Sequence, residues 1–288
     1  MADMIEYSTD LMDTPLPQHS SLERIHDKGL LRQFLMKDRY ANAYLLGKLD
    51  QVYDPFCKWY ALRGPSGEIV DLLLLYQGLS IPVTFFASAI DHDPRQFFQA
   101  CQGVLPRRFE FHVIHDDMSI FRDTYTINSS QKMHRMGLER AHYLAATANL
   151  VEDDDVAMMV ERLGHRDTAA IMELYQHYPD HFFEPYQLES GLYFGVRHPE
   201  EGHLLSIAGV HSISHEYDVA VIGNLVTHPD ARGKGLATAC TSTLLQELFQ
   251  EVSFVALNVQ YHNAPAIRMY TNFGFAPNNI FYEGRSES

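Results

Sequence analysis

The chain predicts a mixed α/β fold: a twisted sheet flanked by helices in residues 149–288, preceded by a second α/β domain in residues 21–148. Three observations carry this. Runs with strand periodicity alternate with helical patterns along the second half. The 288 residues are 46% hydrophobic and 20% charged, an ordinary globular mixture with material for one large domain or two of common size. Midway, the polar stretch Ala145–Asp155 ends in Glu-Asp-Asp-Asp and reads as a linker or an exposed edge segment.

Taken in order, residues 1–20 form a polar, Pro-containing tail, and Ser21–Leu49 carries a helical pattern. Strands are expected at Trp59–Leu62, Ile69–Tyr76 and Val83–Ala87, with turn chemistry at Gly64-Pro-Ser-Gly67. Beyond the boundary, Met158–Leu163 is a strand candidate and Asp167–Tyr178 a helix. Leu192–Arg197 and Leu204–Ser212 pair around His198-Pro-Glu-Glu-Gly-His203, and Val219–Thr227 is a further strand. Gly233–Glu251 is a long helix, because Leu236, Cys240, Leu244 and Leu248 recur every fourth residue along one stripe. Phe254–Val259 alternates as a strand, Ala264–Asn272 is a short helix, and Gly274–Phe281 closes with a strand.

Charge and cysteine usage exclude several classes. The formal net charge of −15 opposes binding to nucleic acid, aminoacyl-tRNA included, or to an anionic membrane. The acidity is uneven: residues 1–150 hold 15 Lys+Arg against 18 Asp+Glu, residues 151–288 only 7 against 19. A half with so few cations must hold a phosphorylated ligand mainly through backbone N–H groups, whereas a cationic substrate is attracted. Cys57, Cys101 and Cys240 are widely spaced and odd in number, so reduced thiols are expected. The first twenty residues lack an apolar core of signal-peptide type, and apolar runs such as Leu72–Tyr76 are far below membrane-spanning length. A soluble, cytoplasmic protein is expected. His112-x-x-His115 offers too few ligands and nothing resembles His-Glu-x-x-His, so no metal is expected.

The chemistry concentrates in Asn224-Leu-Val-Thr-His-Pro-Asp-Ala-Arg-Gly-Lys-Gly-Leu-Ala-Thr238. A strand ends, a short turn follows, and Gly233 and Gly235 open a helix whose first N–H groups lack intrahelical partners. Glycines there let a pyrophosphate approach the backbone. A Walker A loop would need Ser or Thr after Lys234, where Gly235 stands. A dinucleotide fingerprint would need a third glycine where Thr238 stands.

Arg232-Gly-Lys-Gly-Leu-Ala237 resembles the pyrophosphate loop Q/R-x-x-G-x-G/A of the GNAT superfamily of acyl-CoA-dependent N-acetyltransferases. Downstream, Asn263, Ala264, Tyr270 and Gly274-Phe275 follow at that superfamily's spacing. The run Gly191–Phe275 looks closest to the glycine-N-acyltransferase-like branch, and the first half resembles a degenerate acetyltransferase-like domain. The resemblance implies a GNAT fold and acetyl transfer from acetyl-CoA, as acyl donor, to a small-molecule amine by direct attack. It implies that Leu225, Val226 and Thr227 bind the pantetheine arm through main-chain groups. Arg232, Gly233, Lys234, Gly235, Leu236, Ala237 and Thr238 would hold the pyrophosphate. Asn263 would lie near the pantetheine, and Tyr270 would face the thioester sulfur as proton donor. Asn263 also reads as a helix N-cap and Tyr270 as core packing. Many members carry a basic Glu on the strand before the loop, but Val219–Leu225 offers only Asn224. His211, Glu216, Asp218 or a water are the alternatives for the base, and a non-catalytic acyl-CoA-binding module is the alternative function. His177, His181, Phe182, Phe183, Pro185 and Tyr186 fall where the acceptor pocket is expected.

Overall fold

Apolar alternation in the chain is resolved by twelve strands that hydrogen-bond into one sheet, in a computed structural model that describes residues 22–89, 93–114, 116–147, 159–179 and 183–287. The expected polar tail and the boundary at 148/149 lie outside the described residues. The first half contributes β1 (Glu23–Ile25), α1 (Lys28–Leu35), α2 (Ala43–Gly47), β2 (Cys57–Arg63), β3 (Ile69–Tyr76) and β4 (Val83–Ser88). It continues with α3 (Arg95–Cys101), β5 (Arg108–Ile114), α4 (Met118–Thr124), β6 (Thr126–Glu139) and α5 (Arg140–Thr147). The second half contributes β7 (Glu161–Arg162), α6 (Thr168–Tyr175), β8 (Tyr193–Arg197), β9 (Leu204–Ser214) and β10 (Val219–Thr227). It ends with α7 (Leu236–Glu251), β11 (Phe254–Gln260), α8 (Ala264–Asn272) and β12 (Ala276–Glu287).

The strand order is β1-β2-β3-β4-β5-β12-β6-β11-β10-β9-β8-β7. Two pairs are parallel, β4 with β5 and β10 with β11, and each is bridged by a helix. The halves exchange strands. β6 lies between β11 and β12, pairing Glu139 with Phe254 on one side and Gly137 with Ala276 on the other. β12 lies between β5 and β6, pairing Phe281 with Ile114 and with Met133. A cut near residue 150 would therefore take a central strand out of each half's share of the sheet.

Several elements differ from expectation for local reasons. The helical run Ser21–Leu49 is broken into β1, α1, a 3-10 turn and α2. Asp27 starts α1 by accepting from Gly29 N (2.8 Å) and Leu30 N (3.1 Å). Past its end, Asn42 Nδ2 donates to Leu35 O (3.0 Å) and Asp38 Oδ1 takes Ala41 N (2.8 Å), side-chain bonds that replace a continued helix. Residues 145–147 of the expected linker finish α5, and its remainder lies outside the described residues. The candidate Met158–Leu163 is a strand only at β7, and the helix expected over Asp167–Tyr178 is α6 preceded by a 3-10 turn, with Met158 outside the description. The long helix starts at Leu236 rather than Gly233, because Gly233 and Gly235 both take φ +75°. The closing strand starts at Ala276, after Gly274 at φ +95° has ended α8.

Two cores sandwich β9, β10 and β11. On one face Cys240, Leu244 and Leu248 of α7 pack against Ala208, Val210, Ala220 and Ile222. On the other, Leu45 and Leu46 of α2 join Val219, Val221, Phe254 and Ala256, so helices of the first half seal the second half's sheet. The approach is close: a Cβ on Gly47 would stand 2.7 Å from Ser212 Oγ.

Gly284 tests the exchanged ladder, because a Cβ there would meet Ser129 O at 2.0 Å and Ser130 Cα at 2.8 Å. Gly284→Ala is expected to destabilise the whole protein by about 2 kcal/mol or more, since backbone must shift. Gly164→Ala, with nothing within 4 Å, serves as the control and should leave the urea midpoint in place. Equal midpoints for the two variants would contradict the register.

Candidate functional site

The site begins where two parallel strands part. β10 and β11 pair from Val219 with Phe254 to Ile222 with Leu257, and no further. β10 runs on to Thr227 and β11 to Gln260, so their ends diverge into a cleft. On its other edge β10 also breaks register with β9 between Gly223 and Val226. Asn224, at φ +54°, makes the bulge. Asparagine tolerates that left-handed conformation better than most residues. The main chain that follows is turned toward the cleft side without a strand partner there.

Just beyond, the chain makes a 3-10 turn at Pro229–Ala231 and enters α7. Gly235 is the N-cap residue and supplies no side-chain cap, so the first N–H groups of a sixteen-residue helix face outward. Around the would-be Cβ atoms of Gly233 and Gly235 nothing lies within 4 Å. Their glycine identity thus answers to positive φ and leaves a concave, amide-lined space, the geometry that accepts an anion. Arg232, Gly233, Lys234, Gly235 and Thr238 are exposed, while Leu236 is buried and anchors the turn. Arg232 Nη2 donates to Tyr178 Oη (3.0 Å), and Tyr178 Oη donates to Thr227 O, so the loop is braced against the strand end.

One wall of the cleft is a hydrogen-bond network that fixes the bulge. Tyr175 Oη donates to Asn224 Oδ1 (2.9 Å). Asn224 Nδ2 donates to Gln187 Oε1 (2.9 Å) and Tyr193 Oη (2.6 Å), and Tyr193 Oη donates to Val210 O (3.3 Å). Gln187 Oε1 also accepts from Glu184 N (3.2 Å). That backbone donor settles the orientation of the Gln187 amide, whose Nε2 lies 3.2 Å from His211 Nδ1. Gln187 Nε2 donates, so His211 Nδ1 accepts and the neutral ring carries its proton on Nε2. The ring lies over Gly223: a Cβ there would meet Nε2 at 1.8 Å, which is why β10 needs glycine at that point. Burial, helped by the charge of Lys48, pulls His211 down to about 4. His211 is therefore a neutral donor and not a proton acceptor.

The other expected residues divide clearly. Leu225, Val226 and Thr227 lie at the diverging strand end and Ala237 in the first turn of α7. Tyr270 is buried in the core between α8 and the sheet, its ring 5.7 Å from Phe275, and burial raises its hydroxyl well above the ordinary tyrosine range. Asn263 is the N-cap of α8, its Oδ1 accepting from Ala266 N (3.3 Å). Glu216 and Asp218 lie at the opposite end of β10. Asp218 is engaged by Ser253 N (2.6 Å) and Arg39 Nη2 (3.2 Å), about 20 Å of strand from Asn224. Neither reaches the cleft. Among the acceptor-side residues, His177 packs against His228 (ring centroids 4.4 Å apart), and Phe183 stacks in the core on Tyr175. Pro185 opens a 3-10 turn that carries Tyr186 and Gln187, while His181 and Phe182 lie outside the described residues. Tyr175, Gln187 and Tyr193 were not foreseen. For Tyr193 alone there was a trace, Gly209, a strand glycine that makes room for its ring.

Residues 160–275 match the model of the Acetyltransferase (GNAT) family. No curated protein matches the sequence. Solved structures share the fold at low identity. A Drosophila protein gives a TM-score of 0.71 at 12% identity, over 94% of this chain and 99% of its own. A GCN5-related N-acetyltransferase from Kribbella flavida gives 0.56 at 16% identity, over 86% and 94%. A tandem GNAT protein from the clavulanic acid biosynthesis pathway gives 0.53 at 16% identity, over 93% and 98%. The segment that holds the diverging strands, the bulge and the glycine loop, residues 160–275, is thus a match to the GNAT acetyltransferase family.

Proposed function

We propose that the protein transfers acetyl from acetyl-CoA to a small-molecule amine by direct attack of the amine on the thioester. The observation that carries this is the continuity of the cleft with the glycine loop. A chain of strand edge unpaired toward β11, bulge and outward N–H groups runs from Gly223 to Thr238. It suits a long ligand with an amide-bearing arm and a pyrophosphate. In this reading the main chain of Leu225, Val226 and Thr227 aligns the pantetheine arm, and the N–H groups of Arg232–Thr238 hold the pyrophosphate. Asn263 fixes the start of α8 near the arm. The glycine-N-acyltransferase-like branch, a cytoplasmic location and a CoA site confined to the second half belong to the same proposal.

Acetyl-CoA supplies an activated carbonyl and a thiolate leaving group. The chain's part is to orient and to move protons. A main-chain N–H at the bulge stabilises the developing oxyanion. Tyr270, kept protonated by burial, gives its proton to the sulfur. The field of the second half, with 7 Lys+Arg against 19 Asp+Glu, favours an acceptor that arrives as a cation or as a neutral amine. Mass spectrometry of products from acetyl-CoA and a broad amine library tests the reading. Binding of acetyl-CoA with no acetylated product would favour a non-catalytic acyl-CoA-binding module.

Gly235→Glu sets a carboxylate against the anion site and should weaken acetyl-CoA binding roughly tenfold or more in titration calorimetry. Gly235→Asn, which tolerates positive φ, should stay within about threefold of the parent and so separates charge from backbone strain. Tyr270→Phe should lower kcat about 10²-fold with the KM for acetyl-CoA nearly unchanged. Normal turnover would return Tyr270 to packing alone. For a cationic acceptor, kcat/KM should fall several-fold between low and high salt, through KM, because the attraction is screened within about 8 Å at physiological ionic strength. An anionic acceptor would contradict this last expectation.

A further inference from the structure

Acyl transfer to an amine needs a group that removes a proton from the incoming ammonium, and among the described residues the second half's hydrogen-bond network around Asn224 holds none. Asn224 is not basic, His211 already carries its proton on Nε2, and Asp218 and Glu216 sit at the far end of β10. The tyrosines of the wall, Tyr175 and Tyr193, are held protonated by burial. The first half brings two titratable side chains within electrostatic reach of His211: His112, which burial holds neutral with its pKa well below the ordinary imidazole value, and Lys48. Lys48 follows α2, the helix that packs on β9 and β10. It is only 7% exposed. Its Nζ stands 3.8 Å from the ring centroid of Tyr53 and 4.2 Å from that of Tyr76, with no hydrogen-bond partner among the described residues.

The surroundings join this amine to the cleft. Tyr76 Oη lies 3.3 Å from Tyr186 Oη, and Tyr186 neighbours Gln187, which holds both Asn224 and His211. The charge of Lys48 is also felt at His211, whose ring covers Gly223 at the bulge. No carboxylate balances it. The nearest titratable groups are Tyr53, Tyr76 and Cys57, all kept neutral by burial, with His211 neutral as well. Tyr186 is likewise raised by burial, and by the charge of Glu184, a carboxylate that acts on Tyr186 and not on Lys48. Asp50, two residues on, takes the hydroxyl of Ser214 (2.9 Å) and does not act on Lys48.

We propose that Lys48, contributed by the first half, is the proton acceptor of the reaction, taking a proton from the bound acceptor ammonium directly or through one water. This rests on the acyl-transfer reading above. An amine without a counter-ion in a tyrosine-lined wall has the property the step requires. Burial lowers Lys48 from 10.5 to about 7, so much of it is uncharged at neutral pH, and the rings of Tyr53 and Tyr76 stabilise the charge once it forms. The proton count closes. One proton passes from the ammonium to Nζ and on to solvent. The freed lone pair forms the C–N bond as the C–S bond breaks, and the sulfur leaves with its electron pair. Tyr270 protonates the sulfur and is restored by the second proton of the attacking nitrogen.

The test has two arms on the full-length protein. The first measures kcat against pH with acetyl-CoA and the acceptor found in the amine library. The parent should lose rate below a midpoint near 7, because a protonated Lys48 accepts nothing. Lys48→Met and Lys48→Arg should both lose about 10²-fold in kcat and lose that acid limb. Arginine keeping the parent rate would overturn the proposal, since Lys48 would then serve as a fixed charge for an anionic group of the acceptor. The second arm needs no acceptor. The chain has six lysines, and 13C-labelled lysine resonances, with Lys48 assigned by Lys48→Arg, can be followed through a pH titration. A Lys48 midpoint near 7 is expected, and a midpoint near the ordinary 10.5 would overturn the proposal even if acyl transfer itself stands. Conversely, a midpoint near 7 with no acetylated product from the parent would count against the acyl-transfer reading.

Discussion

The main-chain ladders that set β6 between β11 and β12, and β12 between β5 and β6, hold the two halves in one register. Backbone hydrogen bonds run between the halves along these strands, and a one-residue slip would turn every side chain on them to the wrong face. The same exchange removes exposed strand edges that would otherwise pair with other chains. Because the ladders fix the halves, α1 and α2 are pressed onto the face of β9 and β10 that α7 does not cover. That docking brings Lys48, just after α2, within electrostatic reach of His211.

Within the second half, shape replaces charge. In the acyl-CoA reading proposed above, with only seven cations after residue 150, anion recognition falls to amides of a bare helix start, and two glycines at φ +75° shape the turn that exposes them. The strain of Asn224 at φ +54° is offset by three side-chain hydrogen bonds. Such a conformation costs on the order of 1–3 kcal/mol and persists only when its surroundings over-determine it. Tyr175, Tyr193 and Gln187 do that, and the direction of the strand end follows from them.

Much of the second half was legible because its periodicity agrees with its final environment. The spans Val219–Thr227 and Ala264–Asn272 emerge as read, and so does Ile69–Tyr76 in the first half. The glycine loop was visible because its chemistry is local. β6 was not, since its leading residues Thr126–Gln131 are polar but for Ile127 and mostly exposed, and its partners lie more than a hundred residues away. The network around Asn224 was hidden for the same reason: no local pattern tells a core tyrosine from one that braces a bulge. Lys48 falls inside the helical pattern Ser21–Leu49 with nothing in the sequence to single it out, and only tertiary packing takes its water away. His211 was a reasonable proton acceptor until Glu184 N, by orienting Gln187, fixed which ring nitrogen is protonated.

The place of β12 also sets an order of assembly. Residues 276–287 occupy the middle of the sheet, yet they leave the ribosome after nearly everything they pair with. Until then β5 and β6 present open edges, and the ladder that joins the halves has no central rung. Such long-range pairing folds slowly and leaves sticky edges exposed in the meantime. A nascent chain stalled or cleaved shortly before residue 276 would thus be left with both halves unfinished, a natural client for chaperones and proteases.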